Sequence, residues 1–249
     1  MLSTAGETRL ICFIAVQKSF VLVDKPAGVS VHRDEAERSF FDAVRDALGG
    51  GYLAPVHRLD KATSGLWLLA RTPAAAAELS EQFARRDCEK YYLALSRHKP
   101  AKKQGRVAGA LIKSRGGSYR LARSGSPWSE TRFFSYGLGE GLRLFLLKPL
   151  TGRTHQLRVV MKSLGAPILG DVRYGPASEP ADRCYLHAYA LCFSLNGRRF
   201  RYTLPPQTGQ CFKADALHTQ LAKLAEPWTL PWPTDRPVEK KENDREQPG

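Results

Sequence analysis

The densest cluster of chemically reactive side-chain types lies at residues 57–65, which read His-Arg-Leu-Asp-Lys-Ala-Thr-Ser-Gly. Its single carboxylate, Asp60, has His57, Arg58 and Lys61 as neighbours. Positive neighbours favour the ionised form of a carboxylate, which can then act as a nucleophile or as a base. A salt-bridged surface turn has the same composition, so the residue types alone leave the catalytic and the structural interpretation equally open.

A second cluster covers residues 148–158, Lys-Pro-Leu-Thr-Gly-Arg-Thr-His-Gln-Leu-Arg. Thr154 suits the N-cap of a helix that runs to Leu164. A helix N-terminus preceded by Arg153 is a reasonable site for a phosphate group. His155 is weak evidence by itself, because a lone histidine is more often a structural residue.

The chain is strongly basic, with 38 Lys and Arg against 24 Asp and Glu and a formal net charge of +14. The surplus lies in the first 227 residues, which hold 34 basic and 19 acidic side chains. Residues 97–129, which include Lys102, Lys103 and Arg106, contain nine basic side chains and no acidic one. Such a surplus is typical of a protein with a polyanionic partner, so we predict contact with nucleic acid. A basic surface kept only for solubility, or a solvated loop, is the alternative.

Short strands and helices are predicted around both clusters. Apolar runs indicate strands at residues 10–16, 20–23, 65–70 and 91–96, with a turn at 24–28. Ser39 is a suitable N-cap for a helix that the glycines at 49–51 end, and Thr72 followed by Pro73 opens another helix. The strand that follows the Asp60 cluster would hold its loop in place, as rigid elements commonly do for reactive groups.

Two patterns have more than one interpretation: the order of predicted elements between residues 65 and 96, and the glycines at 137–141. The strand, helix and strand between residues 65 and 96 could form a parallel βαβ unit, although no glycine-rich dinucleotide fingerprint accompanies them. The glycines at 137, 139 and 141 lie between two strand-like runs, which favours a hairpin turn over a nucleotide-binding loop.

Several protein classes are excluded by composition. The longest apolar run has seven residues, Leu10 to Val16, against the roughly 18–20 that a membrane-spanning helix needs, and no signal peptide is expected. Five cysteines without a CxxC pair make a zinc site improbable and fit a reducing cytoplasm. We expect a single domain over residues 1–227 and a disordered, dispensable tail, rich in Pro and charge, over residues 228–249.

The two clusters together resemble motifs of the RluA-type pseudouridine synthases, which isomerise uridine in ribosomal and transfer RNA. The Asp60 cluster resembles the central motif of that family, and further segments match in the expected order at residues 24–28, 90–94, 151–174 and 186–193. The resemblance covers about residues 10–205 and departs from the family pattern at Asp24, usually Asn, and at Val160, where His is common.

The resemblance implies a role for each of three residues. It places the catalytic carboxylate at Asp60, the aromatic side chain that packs on the target uracil at Tyr92, and the arginine paired with the catalytic carboxylate at Arg158. It also suggests that Arg58 enters the space left by the flipped nucleotide. Asp171, the other carboxylate in the motifs, is expected to be structural.

The resemblance also implies the fold and the partners. We expect an α+β protein with a mixed, largely antiparallel sheet, flanking helices and loops, and a central catalytic cleft. No cofactor and no metal are expected, and the substrate would be a structured RNA, a stem-loop of ribosomal or transfer RNA, bound by a monomer. The resemblance together with the basic surplus and the helix N-terminus predicts that the RNA contacts Arg58, Arg153, His155, Lys102, Lys103 and Arg106. Many relatives carry an N-terminal S4 domain, and none is expected here, because the first motif begins near residue 20.

Two other function classes compete with this interpretation. A non-catalytic RNA-binding factor would have no reason to keep Asp60, Tyr92 and Arg158 together. A metal-dependent nuclease needs clustered carboxylates, whereas the region around Asp60 is basic. The sequence therefore favours the isomerase over both alternatives.

Overall fold

The computed structural model describes residues 11–31 and 39–234, and a single mixed sheet of eleven strands dominates them. The strand order is β1-β2-β4-β10-β5-β9-β8-β6-β7, with β3 paired to β4 and β11 paired to β10. The strands are β1 (Cys12–Val16), β2 (Phe20–Lys25), β3 (Ala54–Pro55), β4 (Ser64–Ala70), β5 (Glu89–Ser96), β6 (Gln104–Lys113), β7 (Tyr119–Ala122), β8 (Trp128–Gly139), β9 (Leu142–Pro149), β10 (Leu186–Leu195) and β11 (Arg198–Thr203).

Four α-helices flank the sheet within the described ranges. They are α1 (Phe40–Ala47), α2 (Pro73–Arg85), α3 (Gln156–Ser163) and α4 (Asp215–Ala222). The predicted caps are confirmed: the Ser39 hydroxyl accepts the Asp42 N–H at 3.1 Å, and the Thr72 hydroxyl accepts the Ala75 N–H at 3.2 Å. Helices and a mostly antiparallel sheet in one unit confirm the predicted α+β class.

Strands β4 and β5 do not form a parallel βαβ unit, because both lie beside β10 and run in opposite directions. Strand β4 pairs with β10 in parallel at Ser64 and Gly65, whereas β5 pairs with β10 antiparallel. Gly65 has a φ of +106°, and a Cβ there would lie 2.4 Å from the Ala188 carbonyl oxygen. Only glycine permits this close approach of the two backbones.

The structure changes one local prediction, confirms a second, and describes a third only in part. Strand β2 continues to Lys25, because residues 20–25 pair in register with β4, so the turn begins at Pro26 rather than at Asp24. The prediction for the first strand starts at Leu10, which lies outside the described residues. The glycines at 137–141 belong to the β8–β9 hairpin, as predicted.

The predicted boundary of the C-terminal tail is wrong for residues 228–234. Trp232 is only 9% exposed and packs against Phe134 at 4.9 Å and Tyr91 at 5.6 Å between ring centroids. Its indole N–H donates to the Pro227 carbonyl at 2.8 Å. Buried aromatic area thus holds this segment on the main core despite its prolines. The rest of the predicted tail, residues 235–249, lies outside the described part of the chain.

The acid-free basic segment folds into β6, β7 and the start of β8, so it is not a loop throughout. No helix in the described residues is long and apolar enough to cross a membrane.

Candidate active site

The loop that carries Asp60 is anchored by hydrogen bonds at Asp60 and Lys61. It connects β3 to β4, and the Thr63 N–H donates to the Asp60 carbonyl at 3.0 Å. The Lys61 carbonyl accepts the Gly28 N–H at 2.8 Å and the Lys25 ammonium at 3.3 Å. The buried Lys25 therefore ties the end of β2 to the Asp60 loop and restricts where the carboxylate can lie.

His57 is a structural residue and not a cationic neighbour of Asp60, which corrects the sequence-based interpretation. Its Nε2 accepts the Leu68 N–H at 3.0 Å, its carbonyl accepts the Trp67 indole N–H, and its ring stacks on Phe83 at 4.7 Å. Burial lowers the pKa of His57 to about 3, so the ring is neutral at pH 7.

Asp60 faces a cleft of about 550 Å³, together with Tyr92 and Arg158. The Asp60 side chain is 22% exposed, and its Oδ2 lies 3.8 Å from Nη1 of Arg158. Among the described residues that line this cleft, Asp60 is the only carboxylate. The structure thus brings together the three residues for which the motifs predict chemistry.

Arg158 is held mainly by a different carboxylate. Its Nε and Nη2 both donate to Asp171, each at 2.7 Å, in a bidentate pair that is buried. Burial raises the pKa of Asp171, but the hydrogen bonds and charge of Arg158 outweigh that effect and hold it below its ordinary value of 3.8. Asp171 therefore orients Arg158, which leaves Nη1 directed toward Asp60.

Tyr92 lies on β5 opposite Ala188 of β10 and beside the cleft. Burial, together with the negative charge of Asp60, raises the pKa of Tyr92 above its ordinary value of 10.0. The phenol is therefore protonated at neutral pH and presents an apolar ring and an O–H group to the cleft.

Helix α3 begins later than predicted. Thr154 is not its N-cap; His155 occupies that position with a φ of +55°, and the helix starts at Gln156. The Gln156 side chain explains the difference, because it fixes the preceding loop through four hydrogen bonds. It accepts the Thr151 hydroxyl and the Arg153 N–H, and it donates to the Glu130 carbonyl and the Thr131 hydroxyl, at 2.7–3.0 Å.

The residues predicted to bind RNA separate into two groups. Arg58, Arg153 and His155 line the cleft. Lys102, Lys103 and Arg106 do not: both lysines are exposed before β6, and Arg106 forms a two-bond ion pair with Glu130, each bond 2.9 Å long. Because Glu130 compensates the positive charge of Arg106, this arginine should attract a phosphate group less strongly than an unpaired one would.

Sequence reasoning missed two cations of the cleft, Arg86 and Lys90. Lys90 lies in a motif segment two residues before Tyr92, and alternation along a strand puts both on one face of β5, which is a signal for its position. Arg86 ends α2 in the left-handed conformation, and nothing in its local sequence indicates that it lies near the cleft.

A family model described as RNA pseudouridylate synthase matches residues 19–163. An uncharacterized RNA pseudouridine synthase of Haemophilus influenzae is 46% identical over 191 residues, covering 77% of this chain and 85% of the relative. The dual-specificity RNA pseudouridine synthase RluA of Pasteurella multocida is 35% identical over 182 residues, covering 70% and 82%. The ribosomal large subunit pseudouridine synthase C of Rickettsia bellii is 36% identical, and this chain spans only 54% of its length.

The fold comparison agrees with the sequence comparison. The structure of human RNA pseudouridylate synthase domain containing 1 superimposes with a TM-score of 0.73 at 25% identity, covering 92% of this chain and 99% of that one. The motifs around Asp60 and Arg158, the cleft they share and these matches lead to one conclusion: the chain belongs to the RNA pseudouridylate synthase family and is an RluA-type isomerase that converts uridine to pseudouridine.

Proposed function

We propose that the protein isomerises a specific uridine in a stem-loop of ribosomal or transfer RNA, as a monomer, with Asp60 as its catalytic carboxylate. The observation that carries the assignment of Asp60 is its place as the single carboxylate of the described cleft lining, 3.8 Å from a buried arginine. The relatives include a ribosomal large subunit pseudouridine synthase and a transfer RNA pseudouridine synthase, which supports the two substrate classes.

The reaction breaks the bond between C1′ of the ribose and N1 of uracil, rotates the base, and forms a bond from C1′ to C5, after which the C5 proton leaves. Asp60 serves either as the nucleophile at C1′ or as the base that takes the C2′ proton, and both roles need its ionised form. Arg158 orients that carboxylate, and its positive charge favours the ionised state in a partly dry cleft.

Tyr92 packs against the detached uracil and retains it in the cleft during rotation. Its protonated hydroxyl can form a hydrogen bond to the base. No part of this sequence of steps requires a cofactor, an electron or a metal ion.

The target uridine must leave its stack before it reaches Asp60. Arg58, exposed at the cleft and two residues before Asp60, fills the space that the nucleotide vacates, because a guanidinium can both stack on bases and bind phosphate. Arg153 and His155 contact the RNA inside the cleft, and Lys102 and Lys103 contact it outside.

Replacement of Asp60 by Asn tests the catalytic assignment. The change is isosteric and removes the charge, so tritium release from RNA that contains C5-tritiated uridine should fall below detection. RNA affinity should stay within about 2-fold, because phosphate contacts by Lys and Arg dominate it. Asp87→Asn, an exposed residue that does not line the cleft, is the matched control and should keep full activity. Substantial turnover by Asp60→Asn would overturn the assignment.

Mapping of pseudouridine in cellular RNA, with and without the gene, identifies the target. A uridine that is modified only in the presence of the gene, and that the gene carrying Asp60→Asn does not restore, is the substrate. Identical maps in both cells would contradict the proposal that ribosomal or transfer RNA is modified.

A further inference from the structure

The hydroxyl of Tyr174 lies between the basic β6–β7 hairpin and the cleft. It accepts the backbone N–H of Tyr119, on β7, at 2.9 Å and lies 2.9 Å from Nδ1 of His155. The ring is 4% exposed and packs with Leu111 of β6 and Val159 of α3. The position of this hydroxyl is therefore set by two elements from different parts of the chain.

The hydrogen bonds of the Tyr174 hydroxyl favour one tautomer of His155. A backbone N–H can only donate, so Tyr174 accepts from Tyr119 and has one proton of its own to give. Within the described residues, His155 Nδ1 is its one acceptor. When Tyr174 donates to Nδ1 of a neutral imidazole, the ring proton must be on Nε2.

The surroundings of His155 favour that neutral ring. Burial, with help from the charges of Arg158 and Arg173, lowers the pKa of His155 below its ordinary value of 6.5, although Asp60 and Asp171 act in the opposite direction. At pH 7 the ring is therefore mostly uncharged, and it offers a donor of fixed direction rather than a positive charge.

The backbone and the cleft determine where that donor can act. His155 precedes α3 with a φ of +55° and lines the same cleft as Asp60. Nδ1 is occupied by Tyr174, and in the part of the chain that the structure describes no protein group accepts a hydrogen bond from Nε2. The Nε2–H edge is thus left for a group that enters the cleft.

We propose that Tyr174 is a positioning residue that holds His155 as a neutral Nε2–H donor to an oxygen of the bound RNA. The proposal rests on the proposed function for the identity of the ligand, but the tautomer itself is a property of the free enzyme. Tyr174 accepts the Tyr119 N–H of the β6–β7 hairpin and donates to Nδ1 of His155. The direction of the Nε2–H donor of His155 therefore depends on the position of the hairpin.

Nitrogen-15 NMR of histidine-labelled free enzyme tests the tautomer without any RNA. The chain has six histidines, and loss of one signal in His155→Asn assigns the relevant ring. In the wild type at pH 7, His155 should have a protonated Nε2 and an unprotonated Nδ1, whereas Tyr174→Phe should give a mixture of both tautomers. A wild-type ring that is cationic, or protonated only at Nδ1, would overturn the proposal whatever the RNA target.

The matched control is Tyr185→Phe. Tyr185 also accepts a distant backbone N–H, that of Cys211 at 2.9 Å, but does not line the cleft. It should lower stability by an amount similar to Tyr174→Phe and leave both the His155 signals and the KM for RNA unchanged.

Kinetics of tritium release from unmodified ribosomal or transfer RNA transcripts test whether Tyr174 acts through His155. Asn tolerates positive φ and can accept the Tyr174 proton, but it has no donor at the position of Nε2. His155→Asn should raise KM by about 10-fold with kcat nearly unchanged, as expected for loss of one ground-state hydrogen bond. Tyr174→Phe should raise KM by several-fold.

The double variant separates positioning from general structural support. If Tyr174 acts through His155, the variant with both changes should have the KM of His155→Asn alone. Fully additive effects, or a loss of kcat in Tyr174→Phe with KM unchanged, would contradict the positioning role.

A synthetic stem-loop around the mapped uridine identifies the oxygen. With a methylphosphonate beside the target nucleotide, the penalty of His155→Asn should disappear if the acceptor is that phosphate, and persist if it is a uracil or ribose oxygen. Either result supports His155 as a hydrogen-bond donor to the RNA. Equal KM values for wild type and His155→Asn on the unmodified stem-loop would contradict that role.

Discussion

Arg158 interacts with two carboxylates at unequal distances, and the difference assigns them different tasks. Asp171 takes the two short hydrogen bonds, at 2.7 Å, while Asp60 lies at 3.8 Å and keeps its oxygens accessible from the cleft. A bidentate pair fixes the plane of a guanidinium. Arg158 is therefore oriented by Asp171 alone, and the Asp60 carboxylate stays accessible from the cleft, as the proposed catalytic role requires.

Asp171→Asn should lower both stability and kcat. The substitution leaves a buried guanidinium without its charge partner, and breaking a buried pair costs about 3–5 kcal/mol as an upper range. The free energy of unfolding in urea measures the loss, and single-turnover tritium release measures the effect on chemistry. Wild-type kcat in this variant would show that Asp171 is not needed to orient Arg158.

The stability difference should depend on pH with a definite sign. The native pKa of Asp171 is below its ordinary value of 3.8, so the folded protein binds that proton more weakly than the unfolded chain. The contribution of the pair is thus complete above about pH 4 and is lost as the pH falls through the native pKa. Wild type and Asp171→Asn should therefore converge in stability as the pH falls from 3.8 through the lower native pKa of Asp171.

At the scale of elements, the contact between β4 and β10 sets the geometry of the cleft. Strand β4 follows the Asp60 loop, and Leu186 at the start of β10 lines the cleft. The two strands pair over only two residue positions, with Gly65 against Ala188. A small displacement of β4 relative to β10 would therefore move Asp60 relative to β5, which pairs with β10 and carries Tyr92.

Gly65→Ala should destabilise the protein by about 2–5 kcal/mol, from the strain of a positive φ and from overpacking. The new Cβ would lie 2.4 Å from the Ala188 oxygen. Gly51→Ala is the matched control, because Gly51 has a φ of +88° but no atom within 4 Å of its Cβ position. Thermal unfolding should show a much larger loss for Gly65→Ala, and equal losses would mean that backbone strain alone matters.

At the scale of the whole molecule, the charge of +14 is partly compensated in places that the sequence does not reveal. Arg106 is paired with Glu130, and Arg158 is paired with Asp171. The exposed Lys102 and Lys103, by contrast, lie outside the cleft lining on the connection between β5 and β6. Long-range attraction of RNA therefore depends on a subset of the basic residues.

Replacement of Lys102 and Lys103 by Gln should flatten the salt dependence of RNA binding by about 1–2 log units per log unit of salt, if each lysine neutralises one phosphate. Adding Arg106→Gln should change the slope little further, because Glu130 already compensates that charge. The control removes two exposed lysines that do not line the cleft, Lys18 and Lys223. An identical slope in the test and control variants would mean that only net charge matters. The kcat at saturating RNA should be unchanged in both.

Features that depend only on neighbouring residues could be predicted from the amino-acid sequence. The caps Ser39 and Thr72, the apolar run of β4 and the β8–β9 hairpin are local, because a side chain or a period a few residues long decides them. Motif resemblance also predicted a shared site for Asp60, Tyr92 and Arg158, which are far apart in the chain and line one cleft. This was possible because each motif is a short continuous segment of the sequence, although the three segments meet only in the folded chain.

Features that depend on partners in other elements became visible only in the folded chain. Helix α3 starts at Gln156 rather than after Thr154 because Gln156 bonds to β8, and His57 is neutral because β4 and α2 bury it. Trp232 makes part of the predicted tail an ordered segment through its contact with Phe134. In each case the free energy comes from a hydrogen bond or a buried surface whose second partner lies in another element, 11 or more residues away, and a local sequence pattern contains no information on that partner.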